Sequence, residues 1–383
     1  MKYRFLLAPD SYKETMSAAS VCALMKQGIL RIFPDAEVVS LPLADGGEGS
    51  TACFLEAFPG GQSVSLTVKG PWFEPTKSFY GWWPEQRLAF IEMAVCAGLP
   101  LAGERKNPAL TTTFGVGELV NDALSRGARE ILLGLGGSAT HDMGCGAAAA
   151  MGVVFRDKTG HSFIPVGNTL DMIRTVDTSA CAARLSGCRL AALCDIENPL
   201  LGPRGAATVF APQKGANAAG VVLLEEKTRA FSTLMESIAG YNADVTPGAG
   251  AAGGMGAGVQ WFLGGELLPG IDTILEICRF RAQLRSGTIV ITGEGRLDSQ
   301  SLGGKAVSGV AKICKAAGVP LWVVAGDLEA ADCLYETGVT AAFSTNHKAI
   351  PFSEAKKTAR EDLVRTIENL MRCLRDGAGL CSR

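Results

Sequence analysis

Residues 288–305, TIVITGEGRLDSQSLGGK, carry the reading from which the fold follows. Residues 289–292 are apolar or β-branched and predict a short buried strand. The strand runs into Gly293-Glu294-Gly295, where two glycines permit a tight turn and close backbone approach. Arg296, Asp298, the hydroxyls of Thr292, Ser299 and Ser301, the pair Gly303-Gly304 and Lys305 complete the loop. Beyond it, Ala306, Val307, Val310, Ala311, Ile313 and Cys314 have helical spacing. Open α/β sheets present ligand sites in this way, at the carboxyl ends of their strands. Two carboxylates, two cations and backbone N–H groups suit magnesium and phosphate. The competing reading is a solvated loop whose charges pair with each other. The order is not a Walker A motif, because Ser299 stands where that motif needs its first glycine and Ala306 follows the lysine. This argues against an ordinary P-loop NTPase.

Working outward, the same strand–loop–helix rhythm recurs at both ends of the chain. Residues 3–8 read as a strand, the loop DSYKETMS follows, and Ser17 is a candidate N-cap for a helix over 18–32. Residues 37–41 give the next strand, which breaks into LADGGEGS (43–50) with Asp45 and Glu48, and a helix follows. After residue 286 come strands at 288–292, 321–325 and 341–344 and a last helix over about 353–374. The middle is different: 63–69 and 76–83 alternate as antiparallel strands, and 131–135 and 190–194 are strands ending in GGSATHDMGCG and Asp195. The expected architecture is therefore α/β. One three-layer domain is built from both ends (1–62 plus 281–383), and a second α/β domain is inserted between them (63–280).

Composition narrows the function classes. The chain has 383 residues, room for two full cores, and a formal net charge of −2. It offers no basic face for nucleic acid or anionic membrane. Forty-seven glycines against five tyrosines suit a small-molecule enzyme with many tight βα turns. Twelve scattered cysteines without a CxxC pair and three distant histidines argue against zinc and for reduced thiols in a cytoplasmic protein. The N-terminal apolar run is too short for a signal peptide, and no apolar segment reaches spanning length.

Four further motifs carry candidate chemistry. Gly248 to Gly253 spells GxGxxG, yet no buried strand precedes it and Pro247 stands directly ahead, which argues against dinucleotide binding. Close packing fits better, with the N–H groups of Gly253 and Gly254 as candidate anion donors. The loop GLGGSAT, with Gly136, Gly137 and Ser138, resembles the phosphate-cradling loop of the GHMP small-molecule kinases. Asp142 beside it either holds metal or caps a helix. Asp195, Asn198 and Lys214 form another candidate metal and phosphate set, weighed against a plain turn carboxylate. In LADGGEGS, Gly46 and Gly47 let a small ligand reach backbone N–H groups, and Asp45 or Glu48 is a candidate base for a hydroxyl proton.

Taken together, APDSYKETMSA, PLADGGEG, GLGGSAT, CDIENPLLGPRGA, PQKGA, PGAGAAGGMGA and TGEGRLDSQSLGGK closely resemble the type I glycerate kinase family, in order and over nearly the whole chain. The resemblance implies ATP-dependent, magnesium-assisted phosphorylation of D-glycerate, commonly to 2-phosphoglycerate. It also implies a flavodoxin-like domain and a second α/β domain with the active cleft between them. The chain departs from the family pattern at His141-Asp142-Met143-Gly144, at Gly303-Gly304 and at Asp327. On this reading Asp195, Asp298, Glu294 and Lys305 are the catalytic candidates, with Asp195 and Asp298 on Mg²⁺. Arg296 or Lys13, beside Ser11, would clamp the glycerate carboxylate. The alternatives kept open are a 3-phosphoglycerate product, a GHMP-like kinase and a non-catalytic binding protein. A homodimer is also left open.

Overall fold

The structure is a computed structural model that describes residues 3–44, 47, 49–297, 306–329 and 331–380. It divides into two compact units. One comprises Met1–Asp45, Ala52–Pro59 and Ile271–Arg383, and the other Gly46–Thr51 and Gly60–Gly270. The boundaries thus fall at 59/60 and 270/271, and 46–51 join the second unit, where the sequence pattern suggested 62/63 and 280/281.

In the first unit, the buried run Arg4–Leu7 and the strand Thr288–Thr292 pair in parallel at the middle of a five-stranded sheet. The order is Ala341–Ser344, Leu321–Ala325, Thr288–Thr292, Arg4–Leu7, Glu37–Ser40, and every pairing is parallel. Numbered within the sheet this is 2-1-3-4-5, the flavodoxin-like order, so the fold class read from the sequence holds. The half-exposed Glu37–Ser40 is an edge strand. The helix Ala18–Ile32 starts where expected, with the Ser17 side chain accepting from the Ser20 N–H. Its stripe of Val21, Cys22, Met25 and Ile29 is buried with Leu363, Ile367 and Met371 of the long helix Phe352–Leu380. Strand order reverses between Arg4–Leu7 and Thr288–Thr292, so the loops after these two strands emerge side by side.

The second unit has a six-stranded sheet ordered Glu266–Leu268, Arg189–Leu193, Glu130–Gly134, Leu88–Glu92, Pro75–Trp83, Gln62–Lys69. The first four strands are parallel, and the alternating segments 62–69 and 75–83 add an antiparallel hairpin. Ser162–Phe163, Val154–Arg156 and Thr175–Asp177 form a small separate sheet. The apolar faces of Phe114–Ser125, Cys145–Ala150 and Ala251–Leu263 close one core with the parallel strands.

Candidate active site

The first unit places Ser11, Lys13, Glu294 and Arg296 around one pocket of about 670 Å³. Backbone pairing continues past the strands to set it up: Ala8 N–H donates to Ile291 O, and Asp10 N–H to Gly293 O at 2.9 Å. Gly293 is required here, since a Cβ would stand 1.7 Å from Val324 O. The Tyr12 hydroxyl donates to that same carbonyl at 2.5 Å, tying the loop to a third strand. Burial raises the Tyr12 phenol far above its ordinary range, and the nearby Glu294 charge adds to the rise. Glu294 itself is buried. Asp10, also buried, accepts the Ser11 N–H. Arg296 faces Glu329 at 2.7 Å and Asp327 at 3.7 Å on the surface, so its charge is already met by two acids. Asp45, Gly46, Glu48, Asp298 and Lys305 lie outside the described residues. Gly47 O accepts the Ser50 hydroxyl at 2.7 Å.

One acid in the second unit escaped the sequence-based site. Glu92 ends the apolar strand Leu88–Glu92, is 2% exposed, and accepts the N–H groups of Gly49 and Thr51. A carboxylate closing a fully buried strand was the available signal. These two bonds tie residues 49 and 51 to the end of that strand. Asp195 is half-buried, and its Oδ1 accepts the Gly270 N–H at 2.7 Å.

The GGSATHD segment leads into a buried polar core. Asp142 is fully buried and accepts four hydrogen bonds, from the Thr113 N–H and hydroxyl and the N–H groups of Gly144 and Gly146. Burial pushes its pKa up while these donors pull against it. The Thr113 hydroxyl oxygen in turn accepts the Ala147 N–H. The start of the helix Cys145–Ala150 is thereby met by protein groups. Lys214 and Ser138 also differ from expectation. Both are buried, and Lys214 Nζ donates to Ser138 Oγ at 2.8 Å and Thr140 O at 2.7 Å. Burial lowers the Lys214 ammonium to about 7, with the Asp142 charge opposing. Gly136 and Gly137 are the more accessible part of that loop. Gly253 and Gly254 are packing glycines, because a Cβ on Gly253 would stand 2.0 Å from Thr140 O and one on Gly254 2.1 Å from Met143 Sδ.

His141 gives this core a pH dependence. Its Nε2 lies 3.0 Å from Thr228 Oγ1, and burial, reinforced by the Lys214 charge, lowers it to about 3. The folded imidazole is neutral, whereas the unfolded one takes a proton near pH 6.5. Between these values the unfolded chain binds more protons, so the contribution is complete above pH 6.5 and is lost as pH falls towards 3. By pH 5 the loss is about 2 kcal/mol. Urea unfolding at pH 7 and pH 5 checks this: wild type should lose that much relative to His141→Gln, and parallel losses would remove His141 as the cause.

Known proteins match this chain from end to end. The model of the Glycerate kinase family matches residues 5–375. The glycerate kinase of Bacillus subtilis is 39% identical over 369 residues, 96% of each chain. The glycerate 2-kinase of Escherichia coli is 38% identical over 376 residues, 98% of each chain. A crystal structure described as a candidate glycerate kinase 2 from Salmonella typhimurium LT2 superposes with a TM-score of 0.88 at 38% identity, covering 99% of this chain and 100% of that one.

Proposed function

Because the chain belongs to the glycerate kinase family, we propose that it transfers the γ-phosphoryl group of ATP to the 2-hydroxyl of D-glycerate, releasing ADP and 2-phosphoglycerate. The observation that carries this reading is the similarity to a glycerate 2-kinase over 98% of both chains. Phosphoryl transfer asks a protein chiefly to position reactants and meet charge. The pocket at the strand ends, lined by Asp10, Lys13 and Glu294, offers groups suited to that work.

Mg²⁺ takes oxygen ligands and needs only one or two carboxylates when phosphates supply the rest. Among the described residues no group of three or more His, Cys, Asp or Glu is assembled for a metal. A two-carboxylate site is consistent with this. Asp10 and Glu294, on loops joined by the Asp10 N–H to Gly293 O bond, supply the fitting donors. When bound, the ion neutralises charge on the phosphate oxygens. Lys13, which lines the same pocket and has no ion-pair partner among the described residues, offers a movable cation to an anionic group. Tyr12, anchored on Val324 O, fixes the loop that carries Asp10 and Lys13.

ADP release measured against a panel of hydroxy acids tests the reaction. D-Glycerate with Mg²⁺ should support turnover, and glycerol should not. Enolase should consume the product without an added mutase. A strict need for the mutase would identify 3-phosphoglycerate instead.

A further inference from the structure

The pocket at the carboxyl edge of the first unit's sheet has two unlike sides. One is formed by the polar strand ends. The other is Ile350 together with Phe352, Ala355 and Ala359, the last three on one face of the helix Phe352–Leu380 by its 3.6-residue period. Phe352 is 57% exposed and Ile350 38% exposed. The Lys356 ammonium stands 5.9 Å from the Phe352 ring centre. An aromatic face left in water on the wall of a polar cavity suits a flat ring better than it suits the protein core.

Size and charge point the same way. Cavities of about 300–1,000 Å³ accept drug-sized molecules, and a three-carbon acid leaves most of this one empty. Asp10, Glu14, Glu294, Asp327 and Asp362 outnumber Lys13, Arg296 and Lys356 along its walls, and Arg296 already faces Glu329 and Asp327. A small anion arriving without a cation is repelled by that balance. A nucleotide that brings a divalent cation is not.

We infer that this pocket takes the nucleoside part of the nucleotide, its base lying against Phe352 and Ile350 and its phosphates directed to the strand ends at Asp10 and Glu294. The inference rests on the kinase reading and names the half of the reaction this pocket serves. Base–aromatic stacking is sequence-tolerant and typically worth enough that truncating the ring weakens binding about tenfold or more.

Calorimetry on the full chain tests it with three probes: MgADP, magnesium tripolyphosphate and D-glycerate. Phe352→Ala, at a position more than half exposed, should fold normally. It should bind MgADP about tenfold more weakly, while tripolyphosphate affinity and the KM for glycerate stay within about twofold. Phe352→Tyr should restore MgADP binding. Val222→Ala, 59% exposed on the helix Ala218–Ala239 of the other unit, should change none of these. Unchanged MgADP affinity in Phe352→Ala overturns the inference, and so does a rise confined to the KM for glycerate. If instead the wild-type protein binds MgADP through Phe352 but releases no ADP with glycerate, the pocket stands and the acceptor assignment falls.

Discussion

Asp142→Ala should be among the most damaging single substitutions in the second unit, lowering stability by roughly 4–6 kcal/mol. The carboxylate is fully buried and accepts from the Thr113 N–H and hydroxyl and from the Gly144 and Gly146 N–H groups. Alanine leaves three backbone donors in the interior, each costing about 1–3 kcal/mol. It also removes the negative charge that supports the buried Lys214 ammonium. Against a total stability of about 5–15 kcal/mol this is a large fraction, and the melting temperature should fall by more than about 10 °C. Asp142→Asn should do less harm. Its oxygen can take the place of Oδ2, which accepts the two Thr113 bonds and the Gly146 bond, leaving its amide against only the Gly144 N–H. Calorimetric melting of the two variants checks the order. If Asp142→Ala melts like wild type and loses only Mg²⁺ activation, Asp142 is a metal ligand and not the tie at the centre of this core.

The first unit was legible because its signals are local. Ser17 before a 3.6-period stripe marks the helix Ala18–Ile32, and short apolar runs ending in glycine loops mark the parallel strands. Once those strands are adjacent and parallel, their carboxyl-end loops must emerge together, which is why Ser11, Lys13, Glu294 and Arg296 line one pocket. What escaped the sequence depends on distant partners. The 271–280 segment joins the first unit through packing such as Ile271 against Gly309, and nothing local announces that contact. Lys214 reads as a phosphate ligand by its residue type. Its inward turn onto Ser138 and Thr140 depends on two acceptors more than seventy residues away. Glu92 reads as the end of a strand, although its carboxylate receives the N–H groups of Gly49 and of Thr51 in the helix Ser50–Ala57, some forty residues earlier.

Glu294→Gln should lower kcat by a factor on the order of 10² or more while leaving the ligand-free protein folded. The substitution keeps the shape of the side chain and an oxygen acceptor, and it removes the charge. Glu294 follows Gly293, on which a Cβ would stand 1.7 Å from Val324 O of the neighbouring strand, so its position is fixed by the sheet. Its charge is close enough to raise the Tyr12 phenol, and it lines the pocket together with Asp10. If the pair holds Mg²⁺, removing one of two anionic ligands should also raise the Mg²⁺ concentration needed for half-maximal rate, and Glu294→Asp should recover part of the rate at high Mg²⁺. A residue that merely braces Tyr12 predicts the reverse pattern: a lower melting temperature, normal Mg²⁺ activation and nearly normal turnover. Measuring kcat across a Mg²⁺ titration beside a thermal melt separates the two. Wild-type kcat and Mg²⁺ dependence in Glu294→Gln would take Glu294 out of the reaction and leave Asp10 without its proposed partner.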